Sequence, residues 1–390
     1  MKSGPNQIVI DCRWILPQSS GIGVYTRELV RALLSVSTQE EYHLLFNNEY
    51  LARRETARLP RRNADFHIWL VPWSPFSLGG QIALPFRIWK RADLYHGPNY
   101  MIPFLAFPRK RQGSPACVVT VHDLIPLRFP DHAPRARKSR FLTFFRFLLR
   151  EAVLRADAVI CPSNATCRDI VTLLSLSQKQ RSKIHVVPEG IPAGLGPDPV
   201  KREKYPLVLF VGRRDPYKNL PMLIDAFARL RRTIPQARLE VIGPPDPRYP
   251  EAEQSAARLR LGSAVTWRGY VPPEEMIRAY QRAHAVVLPS RYEGFGLPVL
   301  EAMACGCPVV CSRAGSLPEV AADAALYVDP PTPEALARAM ERILTAPSLS
   351  RMLARKGISR ARQFSWERTA RETITIYRRV MHGAAAEAVP

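Results

Sequence analysis

No run in this chain of 390 residues approaches the roughly 18 consecutive apolar residues that a bilayer-spanning helix needs, so a transmembrane segment is not expected. The opening Met1-Lys-Ser-Gly-Pro-Asn6 leads straight into a strand pattern, and no secretory leader is expected. Cysteine is scarce and odd in number: seven residues in so long a chain make no disulfide framework, which points to a cytosolic setting. Cys305, Cys307 and Cys311 lie close together, but Cys-x-Cys-x-x-x-Cys without a nearby histidine is poor zinc spacing, and small buried residues are the simpler account. Acidic residues are in deficit, 34 against 56 Lys and Arg, for a net charge of +22. Such an excess calls for an anionic partner: a phosphate-rich ligand, a membrane surface or nucleic acid. The basic residues are dispersed and no nucleic-acid motif is visible, so nucleic acid is not the expected partner. There is no short repeat and no low-complexity tract, and the 37 prolines are scattered as loop punctuation.

What the chain does have is alternation. At 390 residues and 46% hydrophobic content it is too long for one core and rich enough for two. Short β-type runs recur at Ile8–Asp11, Tyr42–Phe46, Phe66–Val71, Asp93–His96, Cys117–Val121, Ala158–Cys161 and Ile184–Val187. After a Pro- and Gly-rich stretch they resume at Leu207–Val211, Arg238–Ile242, Val265–Trp267, Ala285–Leu288 and Pro308–Val310. Helical patterns fill the gaps, such as Tyr25, Leu29 and Leu33 at four-residue spacing. Strands alternating with helices predict an α/β fold of two tandem, Rossmann-like doubly wound domains with a cleft between them. The expected limits are an N-terminal domain over 1–195, a linker at 196–206, a C-terminal domain over 207–365, and a helix over 366–382 returning to the first domain, with Ser365 as its N-cap.

The most informative stretch is Ser290-Arg-Tyr-Glu-Gly-Phe-Gly-Leu-Pro-Val-Leu-Glu301. It follows a buried-type strand closed by Pro289, turns through Gly294 and Gly296, and enters a helix whose first turn holds Pro298. Unpaired N–H groups and the positive end of the helix dipole make such a turn an anion site. Glu293 and Glu301 frame it, and carboxylates there suit sugar hydroxyls rather than phosphate. An anion cradle beside hydroxyl acceptors predicts a nucleotide or nucleotide-sugar site. The bland alternative, a solvated Glu293 and a Glu301 that merely favours its helix terminus, stays open at the level of this motif alone.

Gln18-Ser-Ser-Gly21-Ile-Gly23-Val-Tyr25 repeats the pattern of strand, glycine loop and helix. It lacks the third glycine of a dinucleotide fingerprint, and no acidic residue ends a second strand at the right distance, which disfavours NAD. A phosphate or acceptor loop is the better reading. His96, His122, Ser163 and Glu189 all stand just past strand ends, where doubly wound sheets bind ligands, and Asn99 lies in the loop after His96. Between them, Arg135–Arg155 is basic and rich in phenylalanine: Phe141, Phe144, Phe145 and Phe147 alternate with Arg137, Lys138, Arg140, Arg146 and Arg150. This segment is expected to meet an anionic membrane surface, with a core-packing helix whose outer face is simply solvated as the alternative.

These residues resemble a known family. The chain resembles the retaining glycosyltransferases of family 4, with the GT-B fold, and is most similar to the bacterial mannosyltransferases of surface polysaccharide (O-antigen) synthesis. The resemblance rests on Glu293 and Glu301 within Arg-Tyr-Glu-Gly-Phe-Gly-Leu-Pro-Val-Leu-Glu, on Gly212-Arg213 followed by Lys218, and on the Gly21–Tyr25 loop and the His122 strand end. It implies a hexose transfer, with mannose from GDP-mannose favoured over UDP-glucose or another donor, to a hydroxyl of a lipid-linked or polysaccharide acceptor. By this resemblance Arg213 and Lys218 clamp the donor diphosphate and Glu301 holds the ribose. Glu293 lies by the donor sugar, while Gly294, Phe295, Gly296 and Leu297 offer backbone N–H groups. Tyr270 and Val271 hold the base and His122 meets the sugar. Gly21 and Gly23 admit donor phosphate and acceptor, with Tyr25, His96, Asn99 and Ser163 as acceptor-side candidates. No Asp-x-Asp pair is present to hold a cation against a diphosphate, and the Arg213/Lys218 pair can replace one; metal-independent transfer without a cofactor is expected. Retention by double displacement needs a carboxylate nucleophile, and no residue of the first domain presents itself as one; a same-face mechanism is the family's usual alternative. A cytoplasmic enzyme peripheral to the inner face of the cell membrane follows. A nucleotide-sugar epimerase on the same fold is the competing reading from another class.

Overall fold

The computed structural model describes residues 4–17, 20–59, 63–109, 115–130, 141–198 and 203–382. The chain divides into two compact units. Of the described residues, one unit gathers those of Met1–Leu124, Phe141–Gly190 and Ser365–Pro390, and the other those of Ile125–Arg140 and Ile191–Phe364. The change of unit at Gly190 falls a few residues ahead of the expected end of the first domain, and a short piece beginning at Ile125 belongs with the second unit.

In the first unit the strands are β1 (Asn6–Asp11), β2 (Glu40–Phe46), β3 (Phe66–Leu70), β4 (Leu94–Gly97), β5 (Ala116–Thr120), β6 (Ala158–Cys161) and β7 (Ile184–Val186). They pair in the order β3-β2-β1-β4-β5-β6-β7, every pair parallel. The second unit carries β8 (Leu207–Val211), β9 (Arg238–Ile242), β10 (Val265–Arg268), β11 (Ala285–Leu288), β12 (Val309–Ser312) and β13 (Ala325–Val328), in the order β10-β9-β8-β11-β12-β13 and again parallel. Both orders are doubly wound. The strand order reverses between β1 and β4 and between β8 and β11, and such switch points are where these sheets bind ligands.

The central strands, such as β6, β8 and β11, are short and continuously apolar because helices cover both sheet faces there, whereas the edge strand β3 leaves Ile68 and Leu70 exposed. Ala158–Cys161 and Ala285–Leu288 are buried at every position. Each such Val, Leu or Ile contributes on the order of 2 kcal/mol through its burial. β13 was not expected from sequence: Ala325-Leu-Tyr-Val328 is short, and two of its four positions are only half-buried.

Helix termini follow local chemistry. Ser20 caps Gly21–Val36 by accepting from Gly23 N–H at 3.1 Å. Ser365 caps the last helix, Trp366–His382, by accepting from Arg368 N–H at 3.2 Å. That helix buries Trp366, Ala370, Ile374 and Tyr377, one face at helical spacing, within the first unit. Its Trp366 ring meets Tyr25 edge-on at 5.7 Å, and Thr369 donates to the Pro188 carbonyl at 2.7 Å. A Cβ on Gly190 would lie 2.2 Å from the Trp366 nitrogen, so only glycine admits the helix this close.

Candidate active site

In the second unit two loops leave the switch point side by side. After β8 the chain runs Gly212-Arg213-Arg214-Asp215 and closes a single tight turn, Pro216–Lys218. Asn219 follows at φ 59°, a left-handed conformation that asparagine tolerates better than most residues, and starts the helix Leu220–Thr233. After β11 the chain runs Pro289 to Gly296 and enters the helix Leu297–Ala304. The loops are tied to each other: Arg291 N–H donates to the Tyr217 carbonyl at 2.7 Å, and Asn219 Nδ2 to the Pro289 carbonyl at 3.3 Å. Beneath the first loop the backbone approach is so tight that a Cβ on Gly243 would lie 1.9 Å from the Gly212 carbonyl oxygen.

Across this junction Lys218 Nζ contacts both carboxylate oxygens of Glu293, at 2.7 and 2.9 Å, with side chains only 10% and 7% exposed. Ser290 Oγ donates to the same carboxylate at 2.6 Å. The Glu293 backbone is gripped as well. Its carbonyl accepts from Ser316 N–H at 3.1 Å and Ser316 Oγ at 3.0 Å, and Ser316 Oγ lies 2.7 Å from the Phe295 carbonyl. Gly315, at φ 58°, packs on Glu293 so closely that a Cβ there would meet the Glu293 carbonyl oxygen at 2.4 Å. An ion pair held on every side in a low-dielectric pocket is a fixed charge arrangement, ready for a ligand without reorganisation.

The turn that follows is an anion cradle in form. Gly296 takes φ 98°, and a Cβ there would strike Leu317 at 2.8 Å, so glycine is required twice over. Phe295 is buried in the core and meets Phe364 edge-on at 5.9 Å, which anchors the turn. The N–H groups of Phe295, Gly296 and Leu297 meet no backbone carbonyl among the described residues, as the head of a helix requires. One turn further, Glu301 accepts from Tyr280 Oη at 2.7 Å. Burial first, and then the Glu301 charge, hold the Tyr280 phenol well above its ordinary value, so it stays a donor. Arg213 is different: its side chain is 63% exposed and pairs with Asp215 at 2.8 Å, so it is a cation on the rim rather than in the pocket. After β10, Tyr270 is exposed and Val271 is buried in the core.

The first unit presents its own switch point. Arg13 is buried at the end of β1 and grips Asp11 through Nε at 2.8 Å and Nη2 at 2.6 Å. Tyr95 donates to Asp11 at 2.7 Å. His122, beyond β5, has Nδ1 3.3 Å from Glu189 and Nε2 3.0 Å from the Pro98 carbonyl, while its ring meets Tyr25 edge-on at 4.6 Å. The carboxylate and the carbonyl fix the ring orientation, and a small part of the His122 side chain remains exposed.

Four acceptor-side candidates prove to be structural. Tyr25 lies on the same helical stripe as Leu29 and Leu33 and is buried with them, its hydroxyl 3.1 Å from Thr120. His96 is fully enclosed between the Tyr377 hydroxyl at 2.6 Å and the Thr120 hydroxyl at 2.8 Å. Burial lowers its imidazole to about 3, so it is neutral. Ser163 is the N-cap of the helix Asn164–Leu173, and Asn99 is buried with its Oδ1 on the next N–H, that of Tyr100. The Gly23 N–H is likewise taken by the Ser20 cap, while Gly21 is open, with nothing near the place of a Cβ. His122, past a strand end, keeps a small exposed part, whereas His96, Tyr25, Ser163 and Asn99 are buried. Tyr280, Gly315 and Ser316 are not legible from sequence because their partners, Glu301 and Glu293, are distant along the chain, while Ser290 and the Asp11–Arg13 pair have near partners but no motif that singles them out. Only Gly315-Ser-Leu-Pro, a glycine and capping-type residue before a helix, gave a local hint.

The sequence and the fold have counterparts among known proteins. Residues 19–195 match glycosyltransferase family 4, and residues 197–360 match the glycosyl transferases group 1. The chain belongs to glycosyltransferase family 4. Over 92% of its length this family 4 enzyme is 28% identical to O-antigen chain mannosyltransferase B of Escherichia coli, covering 96% of that protein. It is 33% identical to an MMP alpha-(1->4)-mannosyltransferase of Mycolicibacterium hassiacum, over 57% of this chain and 54% of that one. In fold it is similar to a sucrose-phosphate synthase from Thermosynechococcus elongatus, with TM-score 0.75, 22% identity, and 97% and 100% of the two chains covered. Anabaena HepE, solved in complex with UDP-glucose, superposes with TM-score 0.71 at 19% identity over 95% and 99%. The chain is thus a glycosyltransferase of the GT-B fold, with the Lys218–Glu293 pair and the Gly294–Leu297 turn at the switch point of its second unit.

Proposed function

We propose that this enzyme transfers mannose from GDP-mannose, with retention and without a metal ion, to a hydroxyl of a lipid-linked or polysaccharide acceptor in cell-envelope glycan synthesis. The observation that carries the reading is the buried Lys218–Glu293 pair beside an N–H-lined turn at the head of a helix. Cleaving a sugar–diphosphate bond builds negative charge on the leaving oxygen. Lys218 and the N–H groups of Phe295, Gly296 and Leu297 stabilise that charge in a water-poor site, and Arg213 swings from Asp215 to the outer phosphate. Glu293 holds Lys218 in place and offers its carboxylate edge to a sugar hydroxyl. Glu301, aligned by Tyr280, takes the ribose hydroxyls, while Tyr270 and Val271 flank the base. In the first unit, Glu189 and the Pro98 carbonyl orient His122 for a sugar hydroxyl. The departing phosphate itself takes the acceptor proton on the same face of the sugar, since no enzymic nucleophile is assigned. Full-length similarity to an O-antigen mannosyltransferase supports mannose and an envelope acceptor.

The test is a thermal-shift screen of GDP-, UDP- and ADP-sugars, since a bound donor raises the melting temperature by mass action. Nucleotide release is then followed in chelator, with and without lipid-linked acceptor. Stabilisation by GDP-mannose and acceptor-dependent release in chelator bear the proposal out. Stabilisation by another sugar nucleotide alone overturns the choice of donor, and interconversion of sugars without acceptor favours an epimerase.

A further inference from the structure

The helix Leu78–Arg91 in the first unit has two unlike faces. Gly80, Leu84 and Ile88 are buried, as a core-facing stripe should be. The other face is apolar too, and it is bare: Leu78 is 81% exposed, Ile82 60%, Phe86 68% and Trp89 49%. Four residues spaced i, i+4, i+8 and i+11 fall within a stripe about 80° wide and about 16 Å long. The Phe86 and Trp89 rings meet edge-on at 5.8 Å, so the end of the stripe is a formed surface. The stripe continues onto the neighbouring turn Phe104–Ala106: Trp89 Nε1 donates to the Ala106 carbonyl at 3.0 Å, and Leu105 in that turn is 58% exposed. A second helix, Leu142–Arg155, reaches the same turn through Arg155, which donates to the Phe104 and Phe107 carbonyls at 3.1 and 3.2 Å. It too exposes aromatic residues, Phe144 and Phe147.

Scattered exposed apolar side chains need no explanation, but an aligned row of this size does. Its charge setting identifies the occupant. The helix carries Arg87, Lys90 and Arg91 and no acidic residue, and Lys90 and Arg91 are exposed. Together with a chain charge of +22, these make the rim of the stripe strongly cationic. Two such faces would repel one another, whereas an anionic lipid surface takes apolar side chains between its headgroups and pairs with the basic rim. Among the described residues no helix is long and apolar enough to cross a membrane, so the mode of contact is lying on the surface rather than spanning it.

We propose that the helix Leu78–Arg91, with Leu105 beside it, seats this enzyme on anionic bilayers by laying Leu78, Ile82, Phe86 and Trp89 into the headgroup–acyl boundary. The segment expected from sequence to meet the membrane, Arg135–Arg155, is described from Phe141 onward and acts here as a secondary contact. The proposal deepens the reading of a lipid-linked acceptor. It is tested apart from it, because vesicle binding needs neither donor nor acceptor.

The experiment is co-sedimentation of the full chain with phosphatidylcholine vesicles, with and without about a third of phosphatidylglycerol. Wild type is expected to bind the anionic vesicles and not the neutral ones. The double variant Ile82→Glu/Phe86→Glu should lose about tenfold or more in partitioning with its melting temperature unchanged, since both side chains already face solvent. Phe144→Glu/Phe147→Glu should lose less. As a readout that does not depend on that variant, brominated acyl chains should quench the fluorescence of wild type more than that of Trp89→Phe. No binding to anionic vesicles, equal binding by Ile82→Glu/Phe86→Glu, or equal quenching of Trp89→Phe overturns the proposal. So does a solution dimer that this double variant dissociates, which would assign the stripe to a second copy of the chain.

Discussion

Replacing Lys218 by methionine tests the centre of the site. The substitution keeps the length of the side chain and removes its charge, leaving the Glu293 carboxylate in a pocket where it is 7% exposed. Two charge-assisted contacts, at 2.7 and 2.9 Å, are lost together, and Ser290 remains as a donor. Stranding one member of a buried pair typically costs about 3–5 kcal/mol. Because Ser290 still serves the carboxylate, we expect the lower end, about 3 kcal/mol. Glu293→Gln strands Lys218 in the same way and should cost about as much. In the double variant Lys218→Met/Glu293→Gln neither charge is left behind, so its loss should fall short of the sum by about 2 kcal/mol, the size of coupling found for residues in contact. Urea unfolding of the three variants beside wild type measures this cycle. If the losses add to within about 0.5 kcal/mol, the pair does not hold the two loops together and the reasoning fails. Turnover separates structure from chemistry. If Lys218 stabilises the departing diphosphate, kcat falls by about 100-fold or more in Lys218→Met, and the double variant regains stability without regaining kcat. Recovery of kcat alongside stability would make the pair purely structural.

Tyr280→Phe removes the hydroxyl that aligns Glu301 and should weaken donor binding by about 1 kcal/mol, roughly fivefold, with kcat little changed; titration calorimetry with the donor measures it. Gly315→Ala forces a Cβ onto the Glu293 backbone at a left-handed φ and should cost at least about 1 kcal/mol of stability and much of kcat, whereas Gly196→Ala, which meets nothing within 4 Å, should be silent in both assays. Burial holds His96 at about 3 against an ordinary 6.5, so below pH 6.5 the unfolded chain takes up a proton that the folded chain refuses. Its contribution is complete above pH 6.5 and shrinks as the pH falls, by about 1.4 kcal/mol at pH 5.5. Comparing urea midpoints of wild type and His96→Gln from pH 7 to 5 should show a shallower decline in the variant, and parallel curves would refute the assignment.

Much of this protein was written in local sequence. Buried parallel strands announce themselves as short apolar runs, and Leu207–Val211, Ala285–Leu288 and Ala158–Cys161 are legible residue for residue because a sheet covered on both faces asks for apolar side chains at every position. The Gly294–Gly296 turn and the helix behind it are legible too, since their glycines and Pro298 answer to backbone constraints acting over a few residues. What local sequence could not decide was partnership. Lys218 and Glu293 stand 75 positions apart, Tyr280 and Glu301 stand 21 apart, and nothing local tells that one lysine is buried on a carboxylate while Arg213, five positions earlier, stays in water. The same limit misplaced His96 and Tyr25, whose polar atoms are satisfied by Thr120 and Tyr377 inside the core. It also hid the bare face of Leu78–Arg91, because an apolar residue reads alike in sequence whether it faces protein or solvent. Backbone preference is set by neighbours along the chain, but burial and pairing are set by neighbours in space, and only folding chooses those.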